Sequence, residues 1–296
     1  MAAGNILVIG RTGQVAQALA HVGGERVICL GRPDADLKRP ETLARTLDQH
    51  KPAAVINAGG FTLVDQAEAE PDEAHRLNVD GPKALALACK AEGVPLIHLS
   101  TDCVFDGELP RAYRPDDVPA PICTYGQTKL DGELAVADAY AQHLVVRVSW
   151  IFSQFGHNFV RTMLRLAQTR DRVSVVSDQI GCPTYAPALA AALLEMARQA
   201  AQPGFSDWGT YHLAGAGETN RASLARRIFS ESERSGGPLA EVDGIATSAY
   251  PTPAKRPLNA RLDITRTTDV FGVQLPDWQD GLAATVPALI QEIANS

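Results

Sequence analysis

A tyrosine and a lysine stand four residues apart in Tyr125-Gly-Gln-Thr-Lys129, inside a segment whose pattern predicts a helix over 124–141. Because residues i and i+4 share one helix face, both side chains can point into one pocket. Lowering the pKa of a tyrosine from about 10 to about 7 requires roughly 4 kcal/mol. A desolvated lysine and a cationic cofactor ring could supply much of this, and Tyr125 would then exchange protons near neutral pH. Taken alone, the pair also suits an ordinary surface helix.

The chain opens with a strand, a glycine turn and a helix, the layout that binds the pyrophosphate of a dinucleotide. Residues 5–9 read as a buried strand, and Gly10-Arg-Thr-Gly13-Gln-Val-Ala16 follows before a helical run. Gly10 permits the tight turn, Gly13 lets the backbone approach a pyrophosphate, and Ala16 packs helix on strand. The helix N-terminus adds free N–H groups. The spacing is G-x-x-G-x-x-A, so a plain βα turn is an alternative for this segment alone.

Two further predicted strands end in residues that can face a ligand. Residues 53–57 run into Ala58-Gly-Gly60, and residues 95–99 run into Ser100-Thr101-Asp102. In doubly wound sheets, ligands bind outside the carboxyl ends of the strands. We therefore expect Ser100 or Thr101 beside a cofactor, although Ser-Thr-Asp taken alone is more typical of a turn or helix cap.

Strand and helix patterns alternate along the chain, which predicts a parallel sheet covered by helices on both faces. The fold expected is α/β, with a doubly wound, Rossmann-type sheet and a smaller C-terminal substrate-binding lobe. We expect a dinucleotide-binding domain over 1–148 and the lobe over 149–296, with segments exchanged between them. Strands are predicted over 5–9, 26–30, 53–57, 95–99, 144–148, 172–176 and 210–213. Helices are predicted over 14–21, 40–50, 72–92, 124–141, 157–168, 186–201, 221–235 and 279–293.

Composition narrows the class of protein. The 296 residues carry a net charge of −7, which argues against a nucleic-acid binder because such proteins show a basic surface. The 5 cysteines are widely spaced without a C-x-x-C, which fits neither a disulfide framework nor a zinc site. No apolar run approaches the roughly 18 residues of a membrane span, and no leader is evident. We expect a cytoplasmic protein without a membrane or nucleic-acid partner.

Taken together, the glycine turn, Asn57-Ala-Gly-Gly60, Ser100-Thr101-Asp102 and Tyr125-x-x-x-Lys129 resemble the extended short-chain dehydrogenase/reductases. Longer motifs are similar to those of the dTDP-4-dehydrorhamnose reductases within that family, over nearly the whole chain. These motifs are Phe61-Thr-Leu-Val-Asp-Gln-Ala-Glu68, Leu77-Asn78, Val104-Phe-Asp-Gly107, Tyr125-Gly-Gln-Thr-Lys-Leu-Asp-Gly-Glu133, Arg147-Val-Ser-Trp150, Asp178-Gln-Ile-Gly-Cys-Pro-Thr184 and Ser248-Ala-Tyr-Pro-Thr-Pro-Ala-Lys-Arg-Pro257. The last two are much more specific than the glycine turn, because they belong to the substrate half.

The resemblance implies NAD(P)H-dependent reduction of the C-4 ketone of dTDP-4-dehydro-L-rhamnose to dTDP-L-rhamnose. A nicotinamide would deliver hydride to the carbonyl carbon. Thr101 and Tyr125 would donate hydrogen bonds to the oxygen on which charge develops. Tyr125 would then act as proton donor, Lys129 would hold the ribose hydroxyls of the cofactor, and Ser100 would have a lesser role.

The resemblance also implies two sets of binding residues. Trp150 would lie over the sugar and Arg256 would meet the pyrophosphate bidentately, although a core tryptophan and a solvated loop arginine are alternatives. Asn158, Gln179 and Thr184 are candidates by motif position only. The cofactor set is Gly10, Thr12, Gly13, Gln14, Val15, Arg32, Asp36, Leu37, Ala58, Gly59, Gly60, Thr62, Leu99, Tyr125 and Lys129. The substrate set is Val64, Thr101, Asp102, Trp150 and Arg256.

The second strand ends Cys29-Leu-Gly-Arg32 without the acid that NAD-specific folds place there. Arg32 can face a 2′-phosphate, so we expect NADPH to be preferred to NADH, or both to be accepted. Some members of the resembled family form a magnesium-bridged dimer through two glutamates, and the matching positions hold Ala18 and Pro187. Because magnesium needs oxygen ligands, we expect no metal site, and a monomer or a weak homodimer.

Three other functions deserve comparison. A dehydratase of this fold is disfavoured because Cys103 follows Thr101-Asp102 where a glutamate is usual. Another sugar-nucleotide reductase or an epimerase remains open, and purified protein carrying bound NAD would favour the epimerase. A non-catalytic regulatory subunit of the methionine adenosyltransferase beta type also resembles these reductases. Turnover of a dTDP-4-keto-6-deoxyhexose separates these possibilities.

Overall fold

The computed structural model describes residues 4–294, which form strands and helices in close alternation. In chain order, the strands are β1 (Ile6–Ile9), β2 (Val27–Leu30), β3 (Ala54–Asn57), β4 (Leu96–Thr101), β5 (His143–Val148), β6 (Ile151–Phe152), β7 (Arg172–Val176), β8 (Ile180–Gly181), β9 (Thr184–Tyr185), β10 (Gly209–Leu213), β11 (Thr219–Asn220), β12 (Glu241–Ile245) and β13 (Asn259–Ala260). The helices are α1 (Gln14–Gly23), α2 (Pro40–His50), α3 (Val64–Ala69), α4 (Pro71–His75), α5 (Gly81–Glu92), α6 (Thr124–Ala139), α7 (Phe159–Ala167), α8 (Ala186–Ala200), α9 (Arg221–Arg234), α10 (Thr265–Phe271) and α11 (Trp278–Ala294).

Six strands form one parallel sheet in the order β10-β5-β4-β3-β1-β2. This confirms the predicted Rossmann-type α/β fold. The strand order reverses between β1 and β3, and ligands bind at such a switch point beyond the carboxyl ends of the strands. Asn57, which ends β3, pairs with His98, so β4 extends three residues farther to Thr101.

Side chains alternate between the two faces of the sheet and bury each face under helices. On β1, Leu7 and Ile9 join a cluster with α2, α5 and α6, whereas Val8 joins the opposite cluster with α1 and α8. This alternation is the period of two expected for a strand covered on both faces. Each fully buried Leu or Ile contributes about 1.5–3 kcal/mol through the hydrophobic effect.

A smaller apolar cluster lies outside the sheet and is built by α7, α9 and α11 with the parallel pair β7 and β12. Helix α8 and strand β10, both in the second half of the chain, do not belong to it. Helix α8 packs on α1, and β10 pairs with β5 at the edge of the large sheet. The two halves therefore interleave, and a division at residue 148 stays a prediction.

The predicted helix over 72–92 is interrupted. Helix α4 and helix α5 are joined by a wide turn of π type over 76–80. Pro82 explains it, because a proline clashes with the carbonyl four residues earlier and removes one hydrogen bond. That carbonyl belongs to Asn78, whose buried side chain bonds both the N–H and the C=O of Phe61. The turn thus fixes the loop after β3.

Candidate active site

A cavity of about 460 Å³ lies beyond the carboxyl ends of the central strands. Most of the residues proposed from sequence for substrate contact lie in its wall. The lining includes Thr12, Gly13, Gln14, Val15, Ala58, Thr62, Val64, Ser100, Thr101, Asp102, Tyr125, Trp150, Gln179 and Arg256. It also includes residues that the sequence did not indicate, namely Val148, Ile151, Gly156, His157, Arg221, Pro257 and Ala260.

The glycine turn has the geometry of an anion-binding site. Gly10 has φ +131°, and a Cβ there would lie 3.3 Å from the Ala58 carbonyl, so the turn requires glycine. Gly13 begins α1 without a side-chain cap, and a Cβ on it would meet no atom within 4 Å. The N–H groups of the first turn of α1 therefore face open space beside the cavity, where an anion can be bound.

Tyr125 lies at the start of α6, which packs closely on the segment after β4. A Cβ on Gly126 would overlap the carbonyl oxygen of Cys103, so a glycine lets the helix approach. The approach brings the Tyr125 phenol close enough to the Thr101 hydroxyl for Thr101 to act on the pKa of the phenol. Lys129 is buried one turn later, and its Nζ donates to the Leu99 carbonyl at 2.7 Å.

Burial dominates the acid–base properties of this pair. Burial raises the pKa of Tyr125, the charges of Cys103 and Asp102 raise it further, and the Thr101 hydrogen bond lowers it. Burial lowers the pKa of Lys129 to about 8, against the opposing charge of Glu133. The lower phenol pKa expected from Lys129 together with a bound cofactor ring stays a prediction. The free protein holds Tyr125 in its protonated form.

A buried ion pair lies beneath the Tyr/Lys pair. Glu133 follows Lys129 by one helical turn and accepts from Arg147 Nη2 at 2.7 Å and from Arg147 Nε at 3.0 Å. Ser100 Oγ also donates to Glu133. Because the Ser100 hydroxyl is engaged there, its position supports the lesser role expected for it.

Thr101 and Asp102 are linked by their side chains. Thr101 Oγ1 donates to Asp102 Oδ1 at 2.9 Å. Burial raises the pKa of Asp102 to about 6, although the Thr101 hydrogen bond and the charge of Arg221 act in the opposite direction. The Thr101 hydroxyl must therefore rotate away from Asp102 before it can donate to another oxygen.

Trp150 has a backbone conformation that bulky residues rarely adopt. Its φ is +47°, in the left-handed region, where non-glycine residues are strained. The Arg221 guanidinium carbon lies 3.6 Å from the centre of its ring, over the ring face. On Gly181 a Cβ would lie 2.6 Å from Trp150 Cε2, so the backbone also packs against the indole. One face of the Trp150 ring is thus covered by Arg221.

Arg256 reaches the cavity wall as part of an ion pair. Its Nη1 and Nη2 atoms donate to the two carboxylate oxygens of Asp65 at 2.9 and 2.8 Å, and Nη1 also donates to the Ala254 carbonyl. Burial acts to lower the pKa of Arg256, but the hydrogen bond to Asp65 and the charges of Asp65, Cys103 and Cys123 together outweigh burial and raise the pKa. The arginine is therefore neither a solvated loop residue nor a guanidinium with all donors free.

Several residues proposed from sequence lie outside the cavity wall. Asn158 caps α7 by accepting from Arg161 N–H, and Thr184 accepts from Gly215 N–H while fully buried, so both have structural bonds instead. Arg32 is exposed after β2, and its carbonyl accepts from Arg11 Nη2 at 3.3 Å. Those outside the wall are Gly10, Arg32, Asp36, Leu37, Gly59, Gly60, Leu99, Lys129, Asn158 and Thr184.

Arg221 is one of the lining residues that the sequence did not indicate. It starts α9, directly after Asn220, which caps that helix by accepting from Ser223 N–H at 2.8 Å. A positive side chain in the first turn is opposed by the helix dipole. An arginine directly after an Asn cap was the one local signal available, and its stacking on Trp150 could be seen only in three dimensions.

Within residues 4–294, no group of three or more His, Cys, Asp or Glu side chains is arranged to hold a metal ion. Ala18 is fully buried in the apolar cluster shared by α1 and α8, and Pro187 lies in the first turn of α8. In the same part of the chain, no helix is both long and apolar enough to cross a membrane.

A parallel doubly wound sheet, with a glycine turn and a Tyr/Lys helix at one crevice, defines a nucleotide-binding protein of the short-chain reductase class. The chain belongs to the family described as RmlD substrate binding domain, whose model matches residues 4–290. A dTDP-4-dehydrorhamnose reductase of Sinorhizobium fredii is 42% identical over 97% of this chain and 98% of its own length. The enzyme of the same name from Escherichia coli K12 is 39% identical over 94% and 95%.

Solved structures agree with this membership. A dTDP-4-dehydrorhamnose reductase of Bacillus anthracis, in complex with NADP, superposes with a TM-score of 0.87 at 30% identity and covers 94% of this chain and 97% of its own. A UDP-glucose 4-epimerase of Brucella ovis reaches a TM-score of 0.80 over 97% of this chain and 98% of its own, but at 20% identity it shows the fold alone.

Proposed function

We propose that this chain reduces the C-4 ketone of dTDP-4-dehydro-L-rhamnose to dTDP-L-rhamnose with NADPH. The observation that carries the proposal is one cavity that joins the uncapped glycine turn to Thr101 and Tyr125. The names of the relatives from Sinorhizobium fredii and Escherichia coli support the substrate. The NADP complex of the Bacillus anthracis enzyme supports the cofactor.

The residues present fit a dinucleotide. Open space above Gly13 and the free first turn of α1 suit a pyrophosphate. The exposed Arg32 and its neighbour Arg11 follow β2 and β1 and would meet a 2′-phosphate. Leu37 is buried beside Gly59, where it would contact adenine. When bound, the nicotinamide supplies the hydride.

Tyr125 is the proposed proton donor, and its environment suits the task. Its buried phenol keeps its proton in the free protein, so the proton is available when negative charge develops on the ketone oxygen. Thr101 would leave Asp102 and donate a second hydrogen bond to that oxygen. Lys129 would turn from the Leu99 carbonyl toward the cofactor ribose.

An epimerase and a non-catalytic regulatory subunit are the two other functions considered, and each would behave differently with NADPH and the substrate. An epimerase of this fold would retain bound NAD and interconvert sugar nucleotides without net oxidation of NADPH. A regulatory subunit would bind a nucleotide but show no turnover. We further propose a cytoplasmic location, no nucleic-acid or membrane partner, and a monomer or weak homodimer.

The test is the oxidation of NADPH by the purified protein with dTDP-4-dehydro-L-rhamnose, followed by NMR of the product. We expect turnover, dTDP-L-rhamnose as the product, and a higher specificity constant for NADPH than for NADH, or similar values. A tenfold preference for NADH would contradict the assignment of Arg32. Absence of turnover with either cofactor would contradict the proposal itself.

A further inference from the structure

We infer that Arg221 is the principal binding group for the pyrophosphate of the nucleotide-sugar substrate. The inference rests on the proposed function for the identity of the ligand. Nothing in the sequence motifs pointed to this residue, and Arg256 was the pyrophosphate candidate. The contacts of the two side chains favour Arg221 over Arg256 as the main group that binds the pyrophosphate.

The two guanidinium groups of the cavity wall differ in the donors that they can offer. Arg256 already gives two N–H groups to Asp65 and a bond to the Ala254 carbonyl. Arg221 lines the same cavity, and within residues 4–294 its side chain forms no hydrogen bond and no ion pair. A guanidinium has five N–H donors in a fork that matches phosphate oxygens. Arg221 can therefore offer the complete fork.

Stacking holds the Arg221 side chain in place before a ligand arrives. Its guanidinium carbon lies 3.6 Å from the Trp150 ring centre and 5.3 Å from that of Phe159. The indole is fixed in turn by the backbone of Gly181 and by the unusual conformation of Trp150. Stacking uses the faces of the guanidinium and leaves its N–H edges free. A group immobilised in this way loses less conformational entropy on binding.

The charge of Arg221 is poorly compensated in the free protein. Burial lowers its pKa to about 10, and the opposing charge with the largest effect is that of Asp102, whose own pKa burial raises to about 6. The residue also lies at the positive end of α9. Because an uncompensated cation in a partly buried site is costly, an incoming dianion would bind with a favourable change in charge.

The proposed reaction brings two pyrophosphate groups into the cavity, one from the cofactor and one from the substrate. The first turn of α1 can hold the pyrophosphate of the cofactor. Arg221 lies in the wall of the same cavity, stacked on Trp150 and near enough to Arg256 for their charges to interact. This leaves the pyrophosphate that links the nucleoside to the sugar as the anion for Arg221, with Arg256 as a second contact.

The experiment measures the dissociation constants of dTDP, dTMP and thymidine by calorimetry, with and without NADP⁺. The proteins are the unchanged chain, Arg221→Gln, Arg221→Lys and the control Arg234→Gln. Arg234 lies at the other end of α9, is exposed, and pairs with Glu231. The affinity of each protein for NADP⁺ reports whether the variant is folded.

We expect Arg221→Gln to weaken dTDP binding by about 10- to 100-fold, the range for lost hydrogen bonds to a charged group. Thymidine binding and NADP⁺ binding should change less than about twofold. Arg221→Lys keeps the charge but loses the forked set of donors. Its affinity for dTDP should lie between those of the unchanged chain and Arg221→Gln. Arg234→Gln should match the unchanged chain.

Three results would overturn the inference. They are dTDP binding unchanged in Arg221→Gln, an equal loss for thymidine and dTDP, or a loss confined to NADP⁺. Equal loss would mean that Arg221 only supports the shape of the wall. A protein that binds dTDP through Arg221 but does not turn over the ketone would refute the proposed function and leave this inference intact.

Discussion

At the scale of single residues, the protonation of Tyr125 decides the direction of proton transfer. Its pKa is raised mainly by burial, and the charges of Cys103 and Asp102 raise it further. The sequence predicts the identity and position of the tyrosine but not the burial that raises its pKa in the free protein, because burial depends on packing. The lower pKa expected beside Lys129 and a bound cofactor ring stays a prediction. A neutral phenol is the form that can donate a proton to a reduced ketone.

Replacing Tyr125 by Phe removes the hydroxyl that is the proposed proton donor and leaves the rest of the side chain unchanged. We expect turnover to fall roughly 10²- to 10⁴-fold, the range for a lost general acid, with NADPH affinity nearly unchanged. Tyr140→Phe is the matched control, because Tyr140 follows the same helix and bonds Gln142 away from the cavity. Steady-state rates and NADPH titration measure both effects. Near-normal turnover of Tyr125→Phe would show that another group gives the proton.

The raised pKa of Asp102 predicts how the free energy of unfolding changes with pH. The fold raises its pKa from 3.8 to about 6, so the native state binds more protons than the unfolded state between those values. Stability therefore falls as pH rises through this window. Two units correspond to roughly 3 kcal/mol at about 1.36 kcal/mol per unit. Asp102→Asn should remove this loss and gain stability relative to the unchanged chain between pH 4 and pH 7.

Denaturant unfolding at several pH values measures the difference in the free energy of unfolding between Asp102→Asn and the unchanged chain. The control is Asp117→Asn, because the ion pair with Arg111 lowers the pKa of Asp117 to about 2. That carboxylate stabilises the fold above its unfolded pKa and loses this effect as pH falls, so the sign is opposite. Parallel curves for Asp102→Asn and the unchanged chain would refute the assigned shift.

Some residue contacts were open to prediction and others were not. Thr101 and Tyr125 could be placed because each lies at a fixed point of a strand end or helix start. The pairing of Arg256 with Asp65 joins residues 191 apart in the chain, and the stacking of Arg221 on Trp150 joins the ends of β5 and α9. Neither pair shares a local pattern, so no spacing rule could have found them.

At the scale of elements, the contact between α6 and the segment after β4 positions the chemistry. Replacing Gly126 by Ala tests it, because helix propensity and packing predict opposite signs. Propensity alone would favour Ala by roughly 0.5–1 kcal/mol. The new Cβ would overlap the Cys103 carbonyl, and such overpacking costs about 1–3 kcal/mol. We expect a net loss of stability and at least a tenfold fall in turnover.

Gly13→Ala is the matched control for that variant. Its Cβ would meet open space and its φ is −70°, so stability should stay within about 0.5 kcal/mol. Its NADPH affinity should fall because the methyl group occupies the space of a pyrophosphate. Thermal unfolding and NADPH titration measure the two effects. A Gly126→Ala protein as stable and active as the unchanged chain would disprove the close contact.

Strands and helices were predictable where buried apolar residues recur along the whole element. The fully buried strand β3 and the helices α2 and α8 appear within a residue of their predicted bounds. Helix α3 and strands β8, β9 and β13 escaped prediction because they are too short to show a period. The turn at 76–80 escaped because it depends on Asn78 bonding Phe61 across the fold.

At the scale of the whole molecule, the chain should work without a divalent metal. Ala18 and Pro187 offer no oxygen ligand from their side chains, and magnesium requires such ligands. We expect full activity in excess EDTA, and a monomer or weak homodimer by analytical ultracentrifugation. Loss of activity and of a dimer on chelation, both restored by magnesium, would show that other carboxylates hold the ion.

The position of β10 has a consequence for synthesis on the ribosome. In the finished sheet β5 is an interior strand between β4 and β10, but β10 is made about 60 residues after β5 ends. At roughly 5–20 residues per second, β5 stays an open edge for about 3–12 s. Exposed, flat and apolar edges invite pairing with other chains. The nascent protein thus passes through a period in which a chaperone would protect β5, the strand that ends two residues before Trp150.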